Sequence, residues 1–434
     1  MTGEARVPDT VTQIEAIFHP RAIAVVGASA NPDTPGYDYV SALQEFGYSG
    51  RIYPVNPRAQ EILGLRAFPS LRDVPGRVDY VISCIPAAAA LDLVDDCAAK
   101  GARALQMFTA RFSETGRPEG ADLERRLAER AHAAGVRIIG PNCMGLLYPR
   151  QGISFRADMP RQPGTVGFLS QSGNLLFELT YLGGPRGLRF SKAVSYGNGL
   201  DLNESDFLEY FAQDTESAVV GAYVEGVRDG RRLFAALKRA AAQKPVVVLK
   251  GGRTAAGGRA AASHTAAMAG QQQVWDAAVA QAGAVAVDTV EELIDMLIAF
   301  AYMRPGSGRP YGRLGMVGGG GGRSVLTADL CEELGLAAPP LPPDVERRIA
   351  DKAPDLAGWV TNPVDQSILA GSGVSGAQVL HWMDESPGID LLLASVGEAW
   401  ALGRPNAEAL LARIPERFVE VGSSTAKPFA AVLG

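Results

Sequence analysis

The chain has few of the features that mark membrane, nucleic-acid or disulfide-rich proteins. It has only four cysteines in 434 residues and no CxxC pair among them, so neither a disulfide framework nor a zinc site is indicated. It has no apolar run near the ~18 residues of a membrane helix, and its N-terminus has no apolar signal core. Its net charge of −6 disfavours general binding to a phosphate backbone. We therefore expect a cytoplasmic protein with reduced thiols.

Two common phosphate-binding signatures are also incomplete. The Walker pattern that ends in Gly-Lys-Ser/Thr is absent. The first glycine turn, which begins at Gly27, lacks the further glycines of GxGxxG and has Pro32 where the last glycine would stand. The second predicted strand ends at Arg58, where an NAD-binding unit would have an acidic residue for the ribose hydroxyls. A cation there disfavours NAD and favours another phosphate-rich ligand, although a plain structural turn remains an alternative.

Apolar strands alternate with helices along the whole chain. This alternation predicts an α/β fold with parallel sheets that are covered on both faces. A polar stretch at 148–163 and a linker rich in Gly, Pro and Arg at 304–313 separate three segments. We therefore predict three domains, at residues 1–150, 151–303 and 314–434. Each opens with a strand, a glycine turn and a helix.

Two later turns could also hold a phosphate. The turn at Ser170–Asn174 and the five glycines at Gly318–Gly322, which precede Arg323, each join a predicted strand to a helix. Free N–H groups and the positive end of a helix dipole meet at such a turn. A phosphoryl group held between two helix ends would be neutralised without a metal. The five glycines could instead serve only tight passage of the chain.

One histidine and one carboxylate could act on that phosphate. His264 follows a run of small residues that we predict to be a loop after a valine-rich strand. A neutral imidazole on such a loop can act as a covalent nucleophile, and a purely structural histidine is an equally good interpretation. Glu225 follows another strand directly and could orient the ring through its second nitrogen. A solvated charge at the strand end is the alternative for Glu225.

Seven motifs occur together and in a recognisable order. They are Val26–Ser29, Tyr53–Arg58, Gly140–Gly145, Leu169–Gly173, Ser195–Asn198, Tyr223–Gly226 and Ser263–Thr265. In this combination the chain resembles the NDP-forming acyl-CoA synthetase superfamily, which includes succinyl-CoA synthetase and ADP-forming acetyl-CoA synthetase.

The resemblance implies a Rossmann-like CoA-binding domain followed by two flavodoxin-like, succinyl-CoA synthetase-like domains. It makes His264 the phosphoryl carrier and Glu225 its orienting carboxylate. It assigns two phosphate cradles, one at Ser172, Gly173 and Asn174 and the other at Gly321 and Gly322. The coenzyme A positions that it implies are Gly27, Ser29, Asn56, Pro57, Arg58, Ile85, Pro86 and Asn142.

The reaction implied by the resemblance converts a small carboxylic acid, CoA and a nucleoside triphosphate to acyl-CoA, nucleoside diphosphate and phosphate. No ATP-grasp segment is recognised in the chain, so ATP or ADP with Mg²⁺ is expected on an ATP-grasp β-type partner in a hetero-oligomer. The chain departs from the family at Arg58, where Lys is common, at Ala266, and at Thr109–Phe112, where relatives are richer in glycine. A non-catalytic CoA-binding or regulatory protein on the same fold is the alternative.

Overall fold

The computed structural model describes residues 9–265, 272–303, 312–396 and 407–433. These residues form two compact units, which divide between Ala301 and Tyr302. The first unit contains two large sheets and a two-stranded hairpin, and the second contains one sheet. Across the described residues, no helix is long and apolar enough to cross a membrane.

The first sheet has the strand–helix alternation that the sequence predicts. Its elements are α1 (Thr10–Phe18), β1 (Ala22–Val26), α2 (Pro35–Glu45), β2 (Arg51–Val55), β3 (Glu61–Ile62), β4 (Leu65–Arg66), β5 (Tyr80–Ser83), α3 (Ala90–Ala99), β6 (Ala104–Met107), α4 (Pro118–Ala134) and β7 (Arg137–Ile139). The five parallel strands run in the order β2-β1-β5-β6-β7, and β3 and β4 form a separate small hairpin. Because β2 and β5 flank β1, the strand order reverses at β1. In open α/β sheets, ligands bind at such a reversal, in the crevice beyond the carboxyl ends of the strands.

The second sheet continues the same pattern. Its elements are β8 (Gly145–Leu147), β9 (Val166–Ser170), α5 (Gly173–Gly183), β10 (Phe190–Ser195), α6 (Glu204–Gln213), β11 (Val219–Val224), α7 (Gly230–Ala241), β12 (Val246–Lys250), α8 (Ala255–Thr265), α9 (Gln272–Ala282), β13 (Val285–Val287) and α10 (Val290–Tyr302). The order is β13-β12-β11-β9-β10-β8. All neighbours are parallel except β8, which pairs antiparallel with β10.

The two sheets of the first unit share one hydrophobic core. Phe18 and Val25 from the first sheet region belong to the same buried cluster as Tyr148 and Phe168 from the second. Several strands, such as β1 and β9, are buried along their whole length, which explains their continuous apolar sequences. The predicted α/β fold class is confirmed, whereas the domain limits at 150 and 303 stay predictions.

The structure contradicts the predicted loop before His264. Residues 255–265 form helix α8, and His264 lies in its last turn. The alanines of this segment favour a helix, and the Thr254 hydroxyl accepts a hydrogen bond from Gly257 N–H at 3.1 Å, as a helix-capping residue does. The glycine pair Gly257–Gly258 suggested a loop, but it does not break the helix.

The second unit is a smaller parallel sheet with helices. It contains β14 (Leu314–Gly318), α11 (Gly321–Glu333), α12 (Pro343–Lys352), β15 (Val364–Asp365), α13 (Gly376–Glu385), β16 (Leu391–Val396), α14 (Ala407–Ser424) and β17 (Phe429–Leu433). The strand order is β15-β14-β16-β17. The buried amide of Asn362 supports β14, because it accepts from Met316 N–H and donates to the Leu314 carbonyl.

Candidate functional site

The loops that follow β1 and β2 are tied together by one asparagine. Gly27 has φ +89°, and the N–H groups of Gly27 and Ala28 donate to the Val55 carbonyl. The Asn56 side chain donates to the Ala28 carbonyl at 2.8 Å and accepts from Arg58 N–H at 2.8 Å. This pairing leaves the Arg58 side chain exposed at the carboxyl edge of the sheet.

Gly36 is a second glycine with a structural role beside the turn after β1, and the sequence alone did not predict that role. A Cβ placed on Gly36 would lie 2.1 Å from the carbonyl oxygen of Gly27. Gly36 therefore lets the first turn of α2 approach the turn after β1, which is the role of the third glycine in dinucleotide-binding turns. Gly36 does not fit the GxGxxG spacing, because it lies four residues beyond Pro32.

The other predicted CoA positions follow β5 and β7 at the same edge. The Thr109 hydroxyl donates to the Ile85 carbonyl at 2.8 Å, and the Thr109 carbonyl accepts from Asn142 N–H at 3.0 Å. Asn142 adopts φ +58°, which turns the chain directly after β7. The structure therefore brings the predicted positions to the carboxyl ends of neighbouring strands. They are Gly27, Ser29, Asn56, Pro57, Arg58, Ile85, Pro86 and Asn142.

The predicted cradle at Ser172–Asn174 is the N-terminus of α5. Ser172 caps the helix, because its hydroxyl accepts from Leu175 N–H. The Ser172 N–H itself donates to the Ser170 hydroxyl at 3.2 Å and is therefore already paired. Gly173 and Asn174 are the first two helical residues, whose N–H groups have no acceptor within their own helix. These two amides can bind an anion.

Met144 joins this cradle to the first sheet. A Cβ on Gly173 would lie 2.6 Å from Met144 Cγ, so only glycine fits beneath that side chain. Met144 N–H donates to the Ser195 hydroxyl at the end of β10. A Cβ on Gly197 would lie 2.3 Å from the Asn142 carbonyl oxygen. The Asn142 turn and the α5 cradle are therefore in direct proximity.

Glu225 lies beside the cradle and is held by a glutamine. The side chain of Gln171, between β9 and α5, accepts from Glu225 N–H at 2.7 Å and from Gly226 N–H at 3.0 Å. Gln171 N–H donates to the Tyr223 carbonyl at 3.0 Å. Glu225 is only 5% exposed, so it is not a solvated strand-end charge. The role of Gln171 is not evident from the sequence, because the parallel pairing of β9 with β11 is what brings it to Glu225.

The surroundings of Glu225 are buried and polar. Burial raises the pKa of Tyr223, and the neighbouring Glu225 carboxylate raises it further. Lys250 Nζ donates to the Glu225 carbonyl at 2.6 Å. Burial lowers the pKa of Lys250, and Glu225 partly opposes that shift. The Tyr196 hydroxyl is buried nearby and has no hydrogen-bond partner among the described residues, although its phenol interacts electrostatically with Glu225.

The backbone of α8 approaches the same region. A Cβ on Gly251 would lie 3.2 Å from Glu225 Cγ, and one on Gly252 would lie 3.1 Å from Ala261 Cβ. His264 comes three residues after Ala261 in α8. The His264 side chain and Ala266 lie outside the described residues, so the pairing of His264 with Glu225 stays a prediction.

The second predicted cradle lies in the second unit. Gly320 has φ +134°, and α11 begins at Gly321, which is followed by Gly322. The Ser324 hydroxyl in this first turn is buried and has no partner in the described part of the chain. Asp365 Oδ2 lies 3.2 Å from the position of a Cβ on Gly321. The local geometry is that of a glycine turn at a helix N-terminus, and its role as a phosphate site stays a prediction.

Together, these sites define the class of the protein. A glycine-turn crevice on one sheet adjoins a helix-end cradle and a buried carboxylate on the next, which is the arrangement expected for an acyl-CoA ligase of the succinyl-CoA ligase type. Residues 21–149 match the family model of a CoA binding domain, and residues 163–300 match that of a succinyl-CoA ligase like flavodoxin domain.

Similar proteins show the family more closely. The chain is 35% identical to the α subunit of ADP-forming acetate–CoA ligase II of Pyrococcus furiosus, over 88% of this chain and 82% of that one. It is also 35% identical to ADP-forming acetate–CoA ligase I of Archaeoglobus fulgidus, but covers only 54% of that longer chain. A solved acetyl-coenzyme A synthetase 1 of Candidatus Korarchaeum cryptofilum, in complex with phosphate and ADP, superimposes with a TM-score of 0.82 at 30% identity, over 97% of this chain and 88% of that one. The chain therefore belongs to the family of ADP-forming acid–CoA ligases and matches their α-subunit part.

Proposed function

We propose that the chain is the α-type subunit of an ADP-forming acyl-CoA synthetase. The reaction is carboxylate + CoA + ATP ⇌ acyl-CoA + ADP + phosphate. The observation that carries this proposal is the junction at Met144, where the crevice of the CoA-binding domain meets the α5 cradle beside buried Glu225. A protein that only binds CoA has no need of the second half of this site, and the similar proteins are named as ligases.

His264 is the proposed carrier of the phosphoryl group. It takes the γ-phosphoryl group of the nucleotide and passes it to the carboxylate, which gives an acyl phosphate. The CoA thiol then attacks the acyl carbonyl, and phosphate leaves. The Gly173 and Asn174 amides stabilise negative charge on the transferred group. The Glu225 carboxylate is proposed to orient the imidazole and to stabilise its charged form.

Coenzyme A is proposed to lie across the strand ends of the first sheet. The close approaches at Gly27 and Gly36 leave no room for a Cβ, which keeps the backbone of this turn open to a phosphate group. The exposed Arg58 guanidinium supplies a charge-assisted contact to a phosphate of CoA. Ser29, Pro57, Ile85, Pro86 and Asn142 line the remainder of the proposed CoA site.

The second cradle is proposed to bind a phosphoryl group in the same reaction. Gly321 and Gly322 are the first two residues of α11, so their N–H groups have no acceptor within the helix. The buried Ser324 hydroxyl, unpartnered in the described structure, is an additional donor in that turn.

The nucleotide and its Mg²⁺ are proposed to bind to an ATP-grasp β-type partner chain. The support is the name of the Pyrococcus relative, which is one subunit of a ligase. This chain also covers only about half of the Archaeoglobus relative. The acid substrate is proposed to be a small carboxylic acid.

Phosphorylation of His264 is the test of this function. The chain is incubated with acetyl-CoA and labelled inorganic phosphate, and phosphopeptides are mapped under non-acidic conditions. We expect an acid-labile phosphate on His264 that is lost in His264→Ala but retained in His132→Ala, a change at an exposed histidine of α4. Glu225→Gln should slow labelling without unfolding the chain. Labelling at another residue, or full labelling of His264→Ala, would remove the carrier from the mechanism.

Arg58 provides a separate test of the CoA site. Arg58→Ala removes a charge-assisted phosphate contact, so CoA affinity should fall by about 1.5–3 kcal/mol. Arg126→Ala, which removes the same charge from the exposed face of α4, should leave CoA affinity unchanged. Isothermal titration calorimetry measures both, and NAD should not compete. Tight NAD binding would contradict the CoA assignment.

A further inference from the structure

Two acidic side chains of the first sheet region, buried Glu124 and partly buried Glu114, meet at one amide from the second sheet. Asn198 Nδ2 donates to Glu114 Oε2 at 2.8 Å and to Glu124 Oε2 at 3.0 Å. Glu114 lies in the short 3-10 turn Ser113–Thr115, which follows β6, and Glu124 lies on α4. Asn198 lies in the loop after β10. The amide therefore bridges the two sheets of the first unit.

Both carboxylates accept hydrogen bonds from the turn Ser113–Thr115 or from the residues directly before it. Glu114 accepts from the N–H groups of Arg111 and Phe112. Arg111 has φ +81°, a backbone conformation that residues other than glycine rarely adopt, so this contact fixes a strained position. Glu124 accepts from the Ser113 hydroxyl at 2.6 Å and from the Ser113 N–H at 3.2 Å.

Asn198 and Arg228, which follow two strands of the second sheet, connect that sheet to this hydrogen-bond network. Asn198 N–H donates to the Pro141 carbonyl at 3.0 Å, and glycines with positive φ, Gly197 and Gly199, flank the residue. Arg228, which follows β11, donates to Glu124 Oε1 at 3.0 Å. Loops after two strands of the second sheet therefore reach the carboxylates that hold this turn.

The observed orientation of the Asn198 amide is unfavourable for its oxygen atom. Its Oδ1 is buried and has no hydrogen-bond partner in the described structure, and the residue is only 3% exposed. A reversed amide would place that oxygen against two carboxylates, so Nδ2 must face them. A buried acceptor without a partner is unfavourable, which indicates that the contacts to Glu114 and Glu124 dominate at this position.

Helix α8 contacts the turn that these residues hold. The Cα atoms of α8 approach those of Ser113–Thr115 closely, and α8 is the helix that contains His264. The turn is thus a support from the first sheet for a helix that follows β12 of the second.

We propose that Asn198 is a positioning residue. Its amide holds the turn Ser113–Thr115, and this turn supports α8. The backbone of His264 in α8 is thereby aligned for phosphoryl transfer. The catalytic part of this inference rests on the proposed role of His264. The structural part, that Asn198 controls the order of α8, stands without it.

Asn198→Asp tests the inference with an almost isosteric change. It replaces the shared donor by a third carboxylate, so the turn should separate from Asn198 by like-charge repulsion. We expect amide hydrogen exchange of residues 255–265 to become about tenfold faster, as loss of a charge-assisted hydrogen bond implies. His264 phosphorylation from acetyl-CoA and phosphate should slow, while the Kd for CoA stays within about twofold, because the changed contact lies outside the proposed CoA residues.

Three further variants separate positioning from general destabilisation. Adding Glu124→Gln to Asn198→Asp supplies a donor for the new carboxylate and should restore slow exchange in α8. Arg228→Ala, a milder change at a half-exposed side chain, should shift exchange of the same peptide in the same direction. Asp201→Asn breaks another ion pair between the two sheets, Arg137–Asp201 at 2.7 Å. That variant should lower the melting temperature and leave exchange of α8 unchanged.

The inference is overturned if α8 exchanges as in the wild type after Asn198→Asp, or if Asp201→Asn accelerates its exchange equally. Absence of phosphate on wild-type His264 would instead refute the proposed function. Faster exchange of α8 in Asn198→Asp would then still support the structural part.

Discussion

At the scale of single residues, Glu204 has the environment that couples stability most directly to pH. It is the first residue of α6 and is only 6% exposed. Burial is the main cause that raises its pKa from 4.5 to about 7, and Asp206 adds to the shift while Arg228 and Arg232 oppose it. Between those two pH values, the folded chain therefore binds a proton that the unfolded chain has lost.

Stability should consequently fall as the pH rises through this range. A raised carboxyl pKa contributes stability that is fully present below about pH 4.5 and is lost above about pH 7. Glu204→Gln, which resembles the protonated form, should not show this loss. We expect the variant to gain about 2–3 kcal/mol over the wild type between pH 5 and pH 8, measured by urea unfolding. A difference between the two proteins that does not change with pH would contradict the assignment.

Two residues of the site show what a single sequence does not reveal. The motifs Leu169–Gly173 and Tyr223–Gly226 predicted a cradle and a carboxylate, and both lie where parallel strand ends should bring them. The role of Gln171 was not predicted, because its contact with Glu225 spans 54 positions of the chain. The contact between Asn198 and Glu124 spans 74 positions and was hidden for the same reason.

At the scale of elements, the start of α2 shapes the proposed CoA site. Gly36→Ala would place a methyl group against the Gly27 carbonyl and push the helix away from the turn. We expect a loss of about 1–3 kcal/mol in stability from this overpacking and weaker CoA binding. Gly230→Ala is the matched control, since Gly230 also lies in the first turn of a helix but has open space around it. Equal CoA affinity in both variants, by calorimetry, would show that the close approach is unimportant.

The predictability of the elements follows from their burial. Strands such as β1, β9 and β12 were predicted because sheets covered on both faces need continuous apolar runs. The strand β8 has only three residues, too few for any periodic pattern. In α8, the glycine pair concealed a helix that the preceding threonine caps.

At the scale of the whole first unit, the shared core makes the two sheets one cooperative folding unit. Lys192 of β10 is 1% exposed and pairs with Asp214 at 2.7 Å and with Glu216 at 3.1 Å. Lys192→Ala would leave Asp214 buried without its cation, at a cost of about 3–5 kcal/mol. Because Phe18, Val25 and Phe168 belong to one buried cluster, hydrogen-exchange protection should fall in both sheets.

A surface ion pair provides the comparison for Lys192. Arg239→Ala removes an exposed partner of Glu209 and should change stability by at most about 1 kcal/mol. Hydrogen exchange monitored by mass spectrometry compares the two variants peptide by peptide. Loss of protection confined to the second sheet in Lys192→Ala would contradict a common core.

The antiparallel strand β8 has a consequence for anyone who wishes to recombine such proteins. It begins only three residues after Asn142, yet it is hydrogen-bonded to β10 of the second sheet. The loop that contains Asn142, at the proposed CoA site, is therefore hydrogen-bonded to the second sheet through β8. A chimaera that exchanges only the first sheet would break this strand pairing. The two sheets should therefore be exchanged together, from α1 to α10.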